Sequence, residues 1–288
     1  MDLKKTGTLY ICPTPIGNLE DMTLRVLRIL KEVQLIAAED TRHTQKLLNY
    51  FDIKTPLFSY HEHNKKEKTG QLLAKLLAGE DLALVSDAGM PGISDPGEEL
   101  IKEAAQNKIK ITPLPGANAA LTALAGSGLN AAPFTFVGFL PKTAKKRREL
   151  LARLKEHPYL LIFYEAPHRL PEMLAEMLAA LGDRRAVAAR ELTKKFEEFL
   201  RGSLSSLSAH FQNNPPRGEF TILVEGAPKD EQNETKMNEG SISGEEMARA
   251  VTDLITAGEN KKDAIRKIAS QLNISKRTVY QAVLKQSK

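Results

Sequence analysis

Apolar positions along the first 115 residues recur in two rhythms. Short β-rich runs (Leu9-Tyr10-Ile11, Leu35-Ile36-Ala37, residues 55–59, 82–85 and 109–114) read as strands. Between them, residues 23–32, 41–50, 65–77, 97–106 and 117–124 predict helices; in the first, Leu24, Leu27 and Leu30 share one face. Such alternation predicts βαβ units around a parallel sheet. The pattern continues with strands at 134–139, 159–164, 186–189, 198–201 and 220–224 and helices at 144–155 and 170–181. The expectation is an α/β protein of two lobes, 1–115 and 116–227, joined near Pro115.

From 228 to 243 the apolar rhythm stops and the chain turns polar, as in a linker. Residues 244–288 are again helical in pattern, and 262–284 fit a helix-turn-helix. Ile265, Ile268, Ala269 and Leu272 form an apolar face, with small Ala269 where two helices would cross. Asn273 suits a left-handed turn. Ile274 is expected to pack inward and Ser275 to cap the next helix. Lys276, Arg277 and Thr278 then open a helix whose apolar side is Val279 and Val283. That places them where such motifs touch nucleic acid. A small bundle for dimerisation or docking is the other reading.

Composition narrows the class. With 288 residues, 42% hydrophobic and 27% charged, the chain is globular and long enough for about two domains. The single cysteine, Cys12, excludes an intrachain disulfide and a multi-cysteine zinc site, and fits a reducing cytosol. The apolar runs fall short of the ~18 residues of a membrane span. The N-terminal apolar stretch is short for a signal peptide. A cytoplasmic, membrane-free protein is expected.

The formal charge is +5, but its distribution says more. Residues 259–288 hold eight basic and two acidic side chains, a net +6. Lys142, Lys145, Lys146, Arg147 and Arg148 form a second cluster. Each alone suits a solvated helix face; two together, one on a helix-turn-helix, point to phosphate backbones.

Candidate chemistry gathers in loops at strand ends. The richest, residues 85–97 (Val-Ser-Asp-Ala-Gly-Met-Pro-Gly-Ile-Ser-Asp-Pro-Gly), follows a strand and opens a helix. This is the carboxyl edge where open α/β sheets bind ligands. Its glycines allow close backbone approach, Pro91 and Pro96 stiffen it, and Asp87 or Asp95 suits ribose hydroxyls or an ammonium. Residues 13–18, 38–42 and 113–118 occupy equivalent ends. Turn chemistry explains one such loop easily and four on one edge poorly. There is no P-loop, which argues against a standard NTPase. Residues 126–131 spell a dinucleotide fingerprint but follow a helix and precede a strand, the wrong context. His61-Glu62-His63 is a poor zinc site, and no metal is expected.

The ordered series resembles the tetrapyrrole methylase superfamily, and within it the members that act on ribosomal RNA. The segments are Pro13-Thr14-Pro15-Ile16-Gly17-Asn18-Leu19, Ala38-Glu39-Asp40-Thr41-Arg42, Ser86-Asp87-Ala88-Gly89-Met90-Pro91-Gly92 and Pro113-Leu114-Pro115-Gly116-Ala117. They continue with Tyr164-Glu165-Ala166-Pro167-His168-Arg169, Arg190-Glu191-Leu192-Thr193-Lys194 and Arg217-Gly218-Glu219. The resemblance spans residues 8–226, and the basic helical tail also occurs in that family. It implies two α/β lobes with a cleft holding S-adenosylmethionine, and a homodimer. It implies methyl transfer to the ribose 2′-oxygen of a decoding-centre cytidine (cytidine 1402) in 16S rRNA of the small ribosomal subunit. By position it implies cofactor contacts at Pro15, Ser86, Asp87, Ala88, Gly89, Ile93, Ser94, Asn118, Ala119 and Glu165. The Ser-Asp-Ala-Gly loop departs from the Gly-Gly-Asp-Pro of relatives acting on tetrapyrroles, which disfavours a tetrapyrrole substrate.

Glu39, Asp40 and Lys194 are the candidate general bases, as ionisable groups in strand-end loops. The alternative for the two acids is simple pairing with Arg42. Arg42, Lys142, Lys145, Lys146, Arg147, Arg148, Lys276 and Arg277 are the candidate RNA contacts. Two rival functions remain: a ligand-sensing DNA-binding regulator, which the tail favours, and a small-molecule (tetrapyrrole) methyltransferase.

Overall fold

Strands β1(Thr8–Ile11), β2(Leu35–Ala38), β3(Leu57–Ser59), β4(Leu82–Val85) and β5(Lys110–Pro113) pair in the order β3-β2-β4-β1-β5, all parallel. Side-chain alternation sends Ile36, Ala38, Ala83 and Val85 to one face and Ala37, Leu82 and Leu84 to the other. Both faces are covered, one by α1(Leu24–Glu32) and α2(Thr41–Tyr50), the other by α3(Lys65–Leu77) and α4(Glu98–Gln106). That is why β4 reads as an unbroken apolar run and is buried at every residue. Caps fix the helix starts: Thr23 Oγ1 accepts from Val26 N–H (3.1 Å), and Asp40 Oδ1 from Arg42 N–H (2.8 Å). The connections from β1 and β4 leave in opposite directions, so a crevice opens between their carboxyl ends.

The second sheet corrects the parallel expectation. Strands β6(Phe134–Phe139), β7(Leu160–Glu165), β8(Arg185–Arg190), β9(Glu198–Ser203) and β10(Phe220–Val224) pair in the order β6-β7-β10-β8-β9. Only β6 and β7 run parallel; the other three pairings are antiparallel. β8 and β9 lie seven residues apart, too close for a helical crossover, and so turn back on each other. One face packs on α6(Ala144–Leu154), α7(Leu170–Leu181) and α8(Leu204–Asn213) around Phe163, Leu174 and Phe211. The other packs on α5(Ala119–Ser127), through Ala120, Ala123 and Leu124. The chain therefore changes sheet between β5 and α5. Helix α8 was not expected: its Ser-rich sequence has weak propensity. A capping box between Ser203 and Ser206 and burial of Leu204, Leu207 and Phe211 hold it.

The chain divides into two units, Met1–Ala227 and Pro228–Lys288. The computed structural model describes residues 6–95, 97–228, 244–272 and 275–286. Pro96, nearly all of the expected linker, Asn273, Ile274 and Lys288 lie outside these. The second unit contains α9(Gly244–Thr256), α10(Lys261–Gln271) and α11(Lys276–Gln286), packed around Val251, Ile265, Ile268, Ala269, Val279 and Val283. Asn260 caps α10, and Ser275 Oγ accepts from Thr278 N–H (3.2 Å) at the start of α11. Among the described residues no helix is long and apolar enough to cross a membrane.

One expected RNA contact is corrected. Lys142, Lys145, Lys146 and Arg148 are exposed, but Arg147 points inward with 4% exposure. It is ion-paired to Glu172 and Glu176 of α7, and the pair raises its pKa further. With its guanidinium spent on pinning α6 to α7, Arg147 has no free face for a phosphate.

Candidate active site

The crevice of the first sheet continues into a cavity of about 440 Å³ between the two sheets of the Met1–Ala227 unit. Its first wall is the loop after β4. That loop is stitched to the loop after β1 by two backbone hydrogen bonds, Thr14 N–H to Gly89 O (2.9 Å) and Gly89 N–H to Thr14 O (3.0 Å). Gly89 has φ +82°, and a Cβ there would stand 3.3 Å from Ile16. A side chain at this position would press on the wall. Thr14 Oγ1 donates to Ser86 O (3.0 Å), and Ser86 Oγ donates to Gly89 O (3.3 Å).

The second wall comes from side chains. Tyr164, Glu165 and Thr221 stand at the ends of adjacent strands, with Phe139 and Leu192 beside them. Phe136 and Phe139 meet the Tyr164 ring edge-on at 5.0 and 5.6 Å. Tyr164 Oη accepts from Ala120 N–H (3.1 Å) at the start of α5, whose N-cap is Asn118. Glu165 has a fully buried side chain. Its Oε1 accepts from Ala166 N–H (2.8 Å); its Oε2 lies 3.4 Å from Arg169 but has no hydrogen-bond partner. Burial pushes this carboxyl above its ordinary range, the Ala166 amide and Arg169 pulling the other way.

Seven of the ten expected cofactor residues line this cavity: Ala88, Gly89, Ile93, Ser94, Asn118, Ala119 and Glu165. Ser86 and Asp87 sit behind the wall as braces; Asp87 Oδ1 accepts from Asp40 N–H (3.0 Å). Pro15 is not among the lining residues, although its neighbour Ile16 is. Met90, Tyr164, Leu192 and Glu219 also line it; they lie in the segments that carry the family resemblance but were not assigned to the cofactor, while Phe139 and Thr221 stand in no motif.

The three candidate bases fare differently. Asp40 is bound up with Arg42: Oδ1 takes Arg42 Nε (3.3 Å) and Oδ2 takes Arg42 Nη2 (3.0 Å). These bonds hold its pKa at about 2, so it is the paired acid of the alternative reading. Lys194 donates to Glu191 (3.0 Å) and Glu219 (2.9 Å), which keep it protonated against partial burial. Glu39 is raised by burial and by the Asp87 charge, but it does not line the cavity. Asp95 does line it. Burial first, then the charges of Glu39 and Asp87, push Asp95 up to about 7, with Ser86 pulling the other way. Backbone strain gathers around the same space: Ser94, Glu191 and Thr193 hold φ of +66°, +49° and +66°. Among the described residues, no three His, Cys, Asp or Glu side chains converge as a metal site.

Known proteins resemble this chain in sequence and in fold. The chain is 48% identical over 276 residues to ribosomal RNA small subunit methyltransferase I of Bacillus subtilis, covering 96% of this chain and 94% of that protein. It is 45% identical to the protein of the same name from Streptococcus pyogenes, covering 97% and 96%. Among solved structures it resembles uroporphyrin-III C-methyl transferase from Thermus thermophilus complexed with S-adenyl homocysteine. There the TM-score is 0.53 with 19% identity, over 75% of this chain and 97% of that one. That likeness concerns the fold alone. The sequence profile of the tetrapyrrole (corrin/porphyrin) methylases matches residues 8–208, from β1 into α8, and so takes in the first sheet, every strand of the second but β10, and every wall of the cavity but its Glu219–Thr221 edge. The chain belongs to the tetrapyrrole methylase family.

Proposed function

We propose that this protein transfers a methyl group from S-adenosylmethionine to the ribose 2′-hydroxyl of a decoding-centre cytidine in 16S rRNA, within the small ribosomal subunit. One observation carries the choice of substrate. The rRNA-methylating relatives match about 96% of the chain, basic tail included, while the uroporphyrin enzyme matches 75%. A match over 276 of 288 residues takes in most of the cationic helical unit, which a porphyrinoid substrate does not require. The homodimer and cytoplasmic setting implied by the family resemblance belong to the same reading.

The cavity fits the cofactor. Its volume lies within the ~300–1,000 Å³ of small-molecule sites. It combines apolar walls with a buried carboxylate oxygen lacking a hydrogen-bond partner. When bound, S-adenosylmethionine supplies an electrophilic methyl group on a sulfonium. Ala88, Gly89 and Ala119 present backbone and small side chains for close approach, Glu165 a polar contact, and Ile93 and Tyr164 apolar walls that exclude water. Methyl transfer to a ribose hydroxyl would leave a 2′-proton for a group of this chain to take up. Asp95, poised near neutrality at the cavity edge, accepts that proton on a carboxylate oxygen. Arg42, Lys142, Lys145, Lys146 and Arg148 offer exposed cations to the RNA backbone.

The test is to incubate the protein with methyl-labelled S-adenosylmethionine and unmodified small subunits, then map the label. Label on one cytidine 2′-oxygen is expected. Label on a tetrapyrrole instead, or duplex DNA binding without transfer, would overturn the reading.

A further inference from the structure

The tail carries an aromatic ring that its own core does not use. On α11, Val279 and Val283 face inward, while Tyr280 is 47% exposed and Leu284 45%. Lys276 and Arg277 are exposed one turn before Tyr280, and no ion pair engages them among the described residues. On α10, by contrast, Arg266 is tied to Asp263 and Lys267 to Glu259. Helix α11 contains no acidic residue. Spacings of three and four put these side chains on one face. The result is a stripe about 12 Å long, with cations free of ion pairs among the described residues at its start, an aromatic ring in the middle and an aliphatic end.

We propose that this face of α11 docks a single-stranded RNA segment, one base stacking on Tyr280 while Lys276 and Arg277 hold the flanking phosphates. A cation pair beside an exposed ring is the combination that unpaired nucleic acid requires: backbone charge is met electrostatically, and any base offers a π-face. A duplex fits the stripe less well. The major groove of A-form RNA is too deep and narrow for side chains to read, and a stacking ring gains nothing from bases already stacked. The choice of RNA over DNA rests on the proposed rRNA substrate; the stacking geometry does not.

The chain contains no tryptophan, so Tyr280→Trp installs a single indole at an exposed position. The full-length variant would be titrated with an unstructured RNA of about twelve nucleotides, within the usual single-strand site size, and with RNA and DNA duplexes of equal length. Quenching of the indole by the single strand is expected, with weaker binding of both duplexes. Tyr280→Ala should weaken single-strand binding about tenfold at an unchanged melting temperature, and Tyr280→Phe should retain it. Lys276→Gln with Arg277→Gln should lower the salt dependence by about 0.7 for each phosphate no longer neutralised. Single-strand binding without quenching, unchanged affinity of Tyr280→Ala, or tighter binding of duplex DNA would each overturn the proposal. Methyl transfer to small subunits, measured on the unaltered protein, fails separately. Its absence with quenching intact removes the rRNA reading and leaves the docking face standing.

Discussion

The two sheets of the body each have five strands and are covered on both faces, yet they build the cavity by different means. The first contributes loops. Its wall is backbone, held by the paired Thr14 and Gly89 amides and shaped by a glycine at positive φ. The second contributes side chains at strand ends: Tyr164, Glu165 and Thr221. Backbone walls place a ligand closely and tolerate little at their glycines. Side-chain walls supply shape and buried charge, and their residues are replaceable in smaller steps. The lobes should therefore respond differently to substitution.

The largest expected effect falls on the first sheet's loop. Asp95→Asn should lower kcat by about 10²–10⁴-fold, the usual contribution of a general base. In the parent enzyme kcat should rise with pH through about 7, as the carboxyl ionises, and then level off. Stability should move the other way. A carboxyl whose folded pKa lies above its unfolded value of ~3.9 costs stability as pH rises between the two. Asp95→Asn should thus melt higher than the parent at pH 8 and equally at pH 4, read by calorimetry. A kcat profile flat across pH 7 would remove Asp95 from the proton step.

Next in size is Gly89→Ala. Forcing a side chain into positive φ costs about 1–3 kcal/mol, and the new Cβ would press on Ile16. Cofactor affinity, measured by calorimetric titration, should fall by about tenfold or more. The matched change in the second wall, Tyr164→Phe, removes only the oxygen that accepts from Ala120 N–H. It should cost about 1 kcal/mol, near fivefold in affinity. Equal losses from the two variants would mean that the walls do not differ as described.

The same contrast explains what was legible in the sequence. Glycine and proline leave a mark because only they suit certain dihedrals, so the loops at 13–18, 86–92 and 113–118 stand out by composition. Strand-end residues such as Thr221 do not; their function arises from which strands are neighbours, and β10 lies between β7 and β8 although β9 and α8 intervene in the chain. The mixed sheet was hidden for the same reason, since strand direction depends on connections that apolar runs do not encode. Asp95 was visible as a residue of the loop. Its burial beside Glu39 and Asp87, which makes it differ from any other aspartate, is a property of the fold.

The smallest effects separate two kinds of cation within one cluster. Lys145, Lys146 and Arg147 are neighbours in sequence, but a helix turns neighbours to different faces, and only Arg147 is buried. Lys145→Gln with Lys146→Gln should leave the melting temperature unchanged and reduce the salt dependence of subunit binding by about one unit for each phosphate no longer neutralised. Arg147→Met should do the reverse. It removes charged hydrogen bonds to Glu172 and Glu176 and should cost about 1 kcal/mol, since Glu172 is exposed enough to regain water. Its salt dependence should stay that of the parent. A lowered slope in Arg147→Met at parental stability would mean that its guanidinium leaves the two glutamates to meet the RNA, and that the cluster acts as one surface.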